Sequence, residues 1–226
     1  MKITLVNRSD SLGGAAIVTV RLLRALRSLG HDARLLVFDP PAAGLHPDVV
    51  SRVGTPLSRT ASFLTERLAV MAACGLSRRR LFLIDPAITG IDISRHPWIR
   101  EADAVILNWV NQGMLSLSDI RRIAAVTPRL LVTMHDMWWM TGVCHHAHSC
   151  RRFKDGCGRC PLLGWMKSPS DLSRRTYEAK TRLYADASPT FVAVSNWLAD
   201  LCLLSPAMRG IRPHVCLIYT TPSPRD

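Results

Sequence analysis

The chain has 226 residues, 48% of them hydrophobic and 20% charged, which suits one generous core and excludes a disordered or fibrous protein. No apolar run reaches the roughly 18–20 residues needed to span a bilayer. The N-terminus, MKITLVN, lacks the apolar stretch and small-residue cleavage site of a secretory leader, so a cytoplasmic location is expected. The formal net charge of +12 asks for an anionic partner or surface (nucleic acid, phosphorylated substrate or acidic lipid), unless it reflects the arginine-favouring codons of a GC-rich gene.

Ile3–Val6 reads as a buried strand and Ser9–Gly14 as a turn. Ala15, Val18, Leu22, Leu26 and Leu29 then recur at helical spacing, with Gly30 placed as the glycine that ends the helix. Ala33–Phe38 is a second strand. Strand, turn, helix, strand is a βαβ unit, which implies a parallel sheet. Residues 41–56 read as loop. Leu57–Leu76 reads as a helix with Phe63, Leu64, Leu68, Met71 and Cys74 on one face, followed by Arg78-Arg79-Arg80. Further strands are expected at Ala104–Leu107, Leu130–Met134 and Thr190–Val194. Helices are expected at Ser116–Val126, Asp171–Ala185 and Asn196–Leu204, the last with Ser195 as N-cap. The stretch from Trp138 to Trp165 is irregular and rich in Cys, His and Gly. The alternation runs throughout, so the expected fold is one α/β domain with a doubly wound, Rossmann-like parallel sheet over residues 1–215.

Ligands of such sheets bind beyond the carboxyl ends of the strands. Four segments fall there: Ser11–Ala15, Asn108–Gly113, His135–Thr141 and Ser195–Trp197. Gly13 and Gly14 let backbone approach a ligand, and the helix behind them offers free N–H groups to a phosphate. The same residues also suit a plain βα turn. His135 can donate to a substrate hydroxyl or to developing charge, with Asp136 orienting it, or it can be structural. Trp138 and Trp139 suit sugar faces or core packing. Cys144, Cys150, Cys157 and Cys160 end in C-x2-C, a zinc half-site, and His145, His146 and His148 lie among them. Structural zinc and a reduced, packed loop are both readings of this cluster. The Leu57–Leu76 helix with its basic tail could lie on an anionic membrane, or pack as an ordinary amphipathic helix against the sheet.

The stretches VNRSDSLGGAA (Val6–Ala16), HPWIREAD (His96–Asp103), NWVNQGMLS (Asn108–Ser116), TMHDMWWMTGVC (Thr133–Cys144), CGRCP (Cys157–Pro161) and SNWLAD (Ser195–Asp200) resemble the N-terminal half of bacterial family-4-type glycosyltransferases of GT-B fold, polysaccharide and O-antigen assembly type. The resemblance covers about residues 1–215. It implies an acceptor-binding domain whose missing partner holds the nucleotide-sugar donor, with retention of configuration and no metal required for transfer. It implies catalytic roles for His135 and Asp136. Ser11, Gly13, Gly14, Trp109, Asn111, Trp138 and Ser195 become substrate-binding candidates. The acceptor would be a saccharide or a lipid-linked sugar, met at the inner face of the plasma membrane.

Two departures stand out. Trp139-Met140 replace the Pro-Phe that often follows MHDMW. The donor-side Glu-x7-Glu pair is absent, the chain's only glutamates being Glu66, Glu101 and Glu178. The tail CLIYTTPSPRD, residues 216–226, resembles a translated sequencing-adapter read-through altered at Ile218 and Thr221, and is expected not to belong to the natural protein. The competing reading is a basic, zinc-stabilised α/β binding module without catalysis, either regulatory or nucleic-acid-binding. The aromatics gather at strand ends and not along basic stripes, so no nucleic-acid partner is expected.

Overall fold

The computed structural model describes residues 1–41 and 48–216. The expected non-native tail lies outside the described residues apart from Cys216. Seven strands form one parallel sheet: β1 (Lys2–Asn7), β2 (Asp32–Val37), β3 (Val50–Arg52), β4 (Ala104–Leu107), β5 (Leu130–Met134), β6 (Thr190–Ala193) and β7 (His214–Val215). Their spatial order is β3-β2-β1-β4-β5-β6-β7. The order runs outward from β1 in one direction, then reverses at β4, which is the doubly wound Rossmann-like arrangement. Six helices connect them: α1 (Gly13–Ser28), α2 (Pro56–Ala73), α3 (Pro97–Arg100), α4 (Leu117–Val126), α5 (Leu172–Ala187) and α6 (Asn196–Leu203).

Period-two alternation divides the core. Leu5 pairs with Leu35 across β1 and β2, and both pack with Val20 and Leu23 of α1. Their neighbours Val6 and Leu36 point to the other face and join Ile120 and Ile123 of α4 and Leu183 of α5. Both faces of the sheet are therefore covered, as unbroken apolar strands such as AVIL and LLVTM require.

The expected strands and helices appear with ends shifted by up to three residues, but three elements escaped sequence reading. β3 lies inside the stretch read as loop, and β7 has two residues, too few for any periodicity to show. The short helix α3 begins at Pro97, with His96 Nδ1 accepting the Trp98 N–H at 3.1 Å.

The helix expected over Leu57–Leu76 exists, capped by reciprocal Thr55 and Ser58 hydrogen bonds, but its apolar face points the wrong way for an ordinary amphipathic helix. α2 buries Arg59, Ser62, Glu66 and Arg67, exposes Leu64 and Leu68, and turns apolar residues inward only at its end, where Val70, Ala73 and Cys74 are buried. The reason is what α2 rests on. It packs on loops, whose free peptide groups need polar partners when buried. Ser62 Oγ donates to Gly113 O at 2.7 Å, and Arg59 donates to Val53 O at 2.7 Å. Glu66 accepts from the Ala87, Ile88 and Thr89 N–H groups at 3.1–3.2 Å. Arg67 donates to Leu81 O and pairs with buried Asp85 at 3.6 Å.

Candidate functional site

A cleft of about 580 Å³ opens at the carboxyl ends of the strands, across the β1/β4 reversal. Its floor is fixed by backbone continuity between the two strand ends. Arg8 N–H donates to Trp109 O at 2.8 Å, and Trp109 N–H donates to Asn7 Oδ1 at 2.8 Å. Gly13, Gly14, Trp109, His135 and Asp136 all line this space.

The first turn is shaped by Ser9, whose Oγ accepts the Ser11 and Leu12 N–H groups at 3.2 and 3.1 Å. Gly13 has φ +85°, and a Cβ there would meet nothing within 4 Å, so conformation and not crowding calls for glycine. No side chain caps the N-terminus of α1 and no acid lies in its first turn. The positive end of its dipole faces the cleft, where Gly13, Gly14 and Ala15 line the space, and suits an anion. Ser11 is exposed in this turn, between lining residues Ser9 and Leu12.

Arg8 adds a fixed positive charge that sequence reading did not single out. Its guanidinium donates to Gln112 O at 2.6 Å, pairs with Asp39 at 3.3 Å, and lies over the Phe38 and Phe63 rings. Burial lowers its pKa and Asp39 raises it. Its place one residue beyond β1 was the available signal.

His135 Nε2 lies 3.4 Å from Asn108 Oδ1. Burial pushes its pKa down to about 4, with Asp136 opposing, so the ring is neutral at pH 7. A proton on Nε2 would donate to the Asn108 carbonyl and leave Nδ1 as an acceptor. With that tautomer the neutral ring can accept a sugar hydroxyl at Nδ1.

Asp136 does not orient His135. Its Oδ2 takes His145 Nδ1 at 2.8 Å and Trp109 Nε1 at 3.0 Å, and its Oδ1 takes the Trp138 N–H at 2.8 Å. Burial pushes this carboxyl up, yet the His145 hydrogen bond and charge, with the Trp138 and Trp109 donors, outweigh it and hold the group below the usual range. The Trp109 indole is thereby fixed, half-buried, with its ring centroid 5.5 Å from that of His145. His145 had been grouped with the cysteine loop; it sits instead under the cleft.

Three other candidates lie apart from the cleft lining. Trp138 takes the core alternative: it is 1% exposed and donates from Nε1 to Asp85 O at 2.7 Å. Asn111 is buried, its carbonyl accepts from Arg8 at 3.4 Å, and its Nδ2 has no hydrogen-bond partner. Ser195 caps α6 by accepting the Leu198 N–H at 3.2 Å, next to cleft-lining Val194.

Cys144, Cys150, Cys157 and Cys160 line one small cavity of about 20 Å³. The Gly142 N–H donates to Cys157 Sγ at 3.2 Å, and the Leu163 N–H donates to Cys160 O at 3.2 Å. The chemistry of this set fits zinc. Its spacing does not: among the described residues no three His, Cys, Asp or Glu side chains converge to hold a metal. An ion would have to draw the thiols inward.

No protein-family model matches the chain, and no curated protein matches it. Among solved structures it is similar to an alpha-glucosyltransferase in complex with UDP and a 13-mer DNA containing a central A:G mismatch. The TM-score is 0.39 at 12% identity, over 86% of this chain and 37% of that one. The chain spans little more than a third of that neighbour's length, and a likeness this distant carries no functional argument.

Proposed function

We propose that the chain is the acceptor-side half of a retaining GT-B glycosyltransferase that moves a sugar from a nucleotide-sugar to a saccharide or lipid-linked acceptor in surface polysaccharide assembly. The observation that carries the reading is the meeting, in one cleft, of an uncapped helix N-terminus, the Arg8 guanidinium, the neutral His135 ring and the Trp109 indole. The first two suit a diphosphate, and the last two suit a sugar. The sequence resemblance over residues 1–215 points the same way.

In this reading a second domain brings the donor and its acidic pair over the cleft. The α1 N-terminus and Arg8 hold the phosphates. His135 Nδ1 accepts a hydroxyl of the transferred sugar and fixes its orientation, while Trp109 offers a flat apolar face. Asp136 positions Trp109 and does not touch substrate. Transfer is proposed to need no metal.

The test uses the full-length protein from its natural coding sequence, with labelled nucleotide-sugars and membrane extracts as acceptor source. His135→Ala and Arg8→Ala should each lower kcat/KM by about 10²-fold or more, the scale of losing an oriented polar group at a reacting centre. Wild-type rates for both would sink the assignment.

A further inference from the structure

α2 is inverted: its ionisable residues are inside and its leucines outside. Leu57, Leu64 and Leu68 are 79%, 51% and 60% exposed. Their spacing of seven and four residues sets them in one stripe along the helix, with Ala61 and Ala72 between and beyond. The stripe continues past the helix. Leu76 and Phe82 are exposed, and Trp165, 74% exposed, stands beside Gly75, whose Cβ position lies 3.6 Å from the indole. Hydrogen bonds join these segments into one surface: Gly164 N–H to Ala73 O at 2.9 Å, and Arg80 to Leu162 O at 3.1 Å.

The charges around this surface have one sign. Arg78, Arg79 and Lys167 are exposed at its end. Between residues 49 and 84 the only acid is Glu66, which is fully buried, and residues 156–170 contain none. An apolar stripe with an exposed tryptophan, bordered by cations and free of exposed carboxylates, is complementary to a surface that is apolar beneath and negative on top. A second copy of the chain would bring its own arginines against these and be repelled.

We propose that the outward face of α2, with Leu76, Phe82, Trp165 and the Arg78–Arg80 turn, seats the protein on an anionic lipid bilayer. The leucines and Trp165 enter the headgroup–acyl boundary, and the arginines and Lys167 meet lipid phosphates. The surface does not depend on the transferase reading. Sugar transfer and bilayer binding are measured separately, so either can fail alone.

The test is co-sedimentation of the full chain with phosphatidylcholine vesicles, with and without phosphatidylglycerol. Binding is expected only with phosphatidylglycerol, weakening as salt is raised. Each basic residue at such a surface is worth about fivefold in affinity, so R78E/R79E should bind at least tenfold more weakly. L64S/L68S should also bind at least tenfold more weakly, with an unchanged unfolding midpoint because both side chains are exposed. Trp165 fluorescence should shift to the blue on vesicles, an emission change that Trp165→Phe removes. Three results overturn the proposal: no binding by the wild type, full binding by either double variant, or a wild-type dimer in sedimentation that L64S/L68S dissolves.

Discussion

Asp136 Oδ2 accepts His145 Nδ1 at 2.8 Å and, on the same oxygen, the Trp109 indole N–H at 3.0 Å. A carboxylate this enclosed works as a peg, since every donor around it is satisfied by one group. Asp136→Asn turns an NH2 toward N–H donors and should cost about 1–3 kcal/mol in urea unfolding. The sign with pH follows from its depressed pKa: the stabilisation is present above the unfolded carboxyl range and is lost as pH falls through the lower folded value. A variant within about 0.5 kcal/mol of wild type at pH 7 would show that the peg is dispensable.

His135 gives the next expectation. Its pKa is about 4 in the folded chain, pushed down by burial, against an ordinary value of 6.5. Between those values the unfolded chain takes a proton that the folded chain refuses. Stability should therefore rise with pH from about 4 to 6.5. His96, lowered by burial as well, adds to the same slope. His135→Gln should flatten part of that rise in a pH series of thermal midpoints. An unchanged slope would mean that His135 is hydrated enough to titrate normally.

Strand positions and the parallel order were legible because AVIL and LLVTM are apolar apart from Thr133 and the helices between them repeat cleanly. The cleft was legible for the same reason: strand ends in a doubly wound sheet fix where a ligand sits, so Gly13 and His135 follow from position, whereas Trp109 came from the resemblance. What periodicity cannot report is the partner of each face. α2 has leucines at helical spacing, which suits packing on the sheet as well as lying on a membrane, and the choice was set by Ala87, Ile88 and Thr89, whose N–H groups needed an acceptor and took Glu66. Asp136 and His145 are nine residues apart across an irregular loop, and no repeat links them. Trp138 went into the core because Asp85 O was there to take its N–H.

Glu66 should show the opposite pH sign from His135. Burial and the neighbouring Asp85 push its pKa up to about 8 from 4.5. The folded chain therefore holds a proton that the unfolded chain releases, and this contribution to stability is full below 4.5 and lost as pH rises through 8. Glu66→Gln keeps the neutral state but turns an NH2 toward N–H donors on whichever side it faces. It should be less stable than wild type at pH 5 and lose less of its thermal midpoint than wild type between pH 5 and pH 9. An equal loss in both would mean that Glu66 does not carry the pH dependence.

Lys180 bears on the cysteine loop. It is fully buried and donates only to carbonyls, Trp138 O at 2.6 Å and Thr141 O at 3.2 Å, with Nζ 3.4 Å from the Trp138 ring centroid. A buried ammonium without a carboxylate on it is costly unless negative charge lies close by. Burial pushes its pKa down to about 7 while Asp85, Cys144, Cys157 and Asp136 oppose that shift, and four thiolates around one divalent ion would add negative charge beside it. If an ion draws these thiols inward, protein purified without chelator should hold about one zinc per chain by elemental analysis. Cys157→Ser/Cys160→Ser should lower that content at least tenfold. Lys180→Met should lower it less, because the cation neutralises the cluster without ligating it. Full-length protein with all four thiols reduced, no bound zinc and an unchanged unfolding midpoint after zinc addition would establish the loop as a plain packed one.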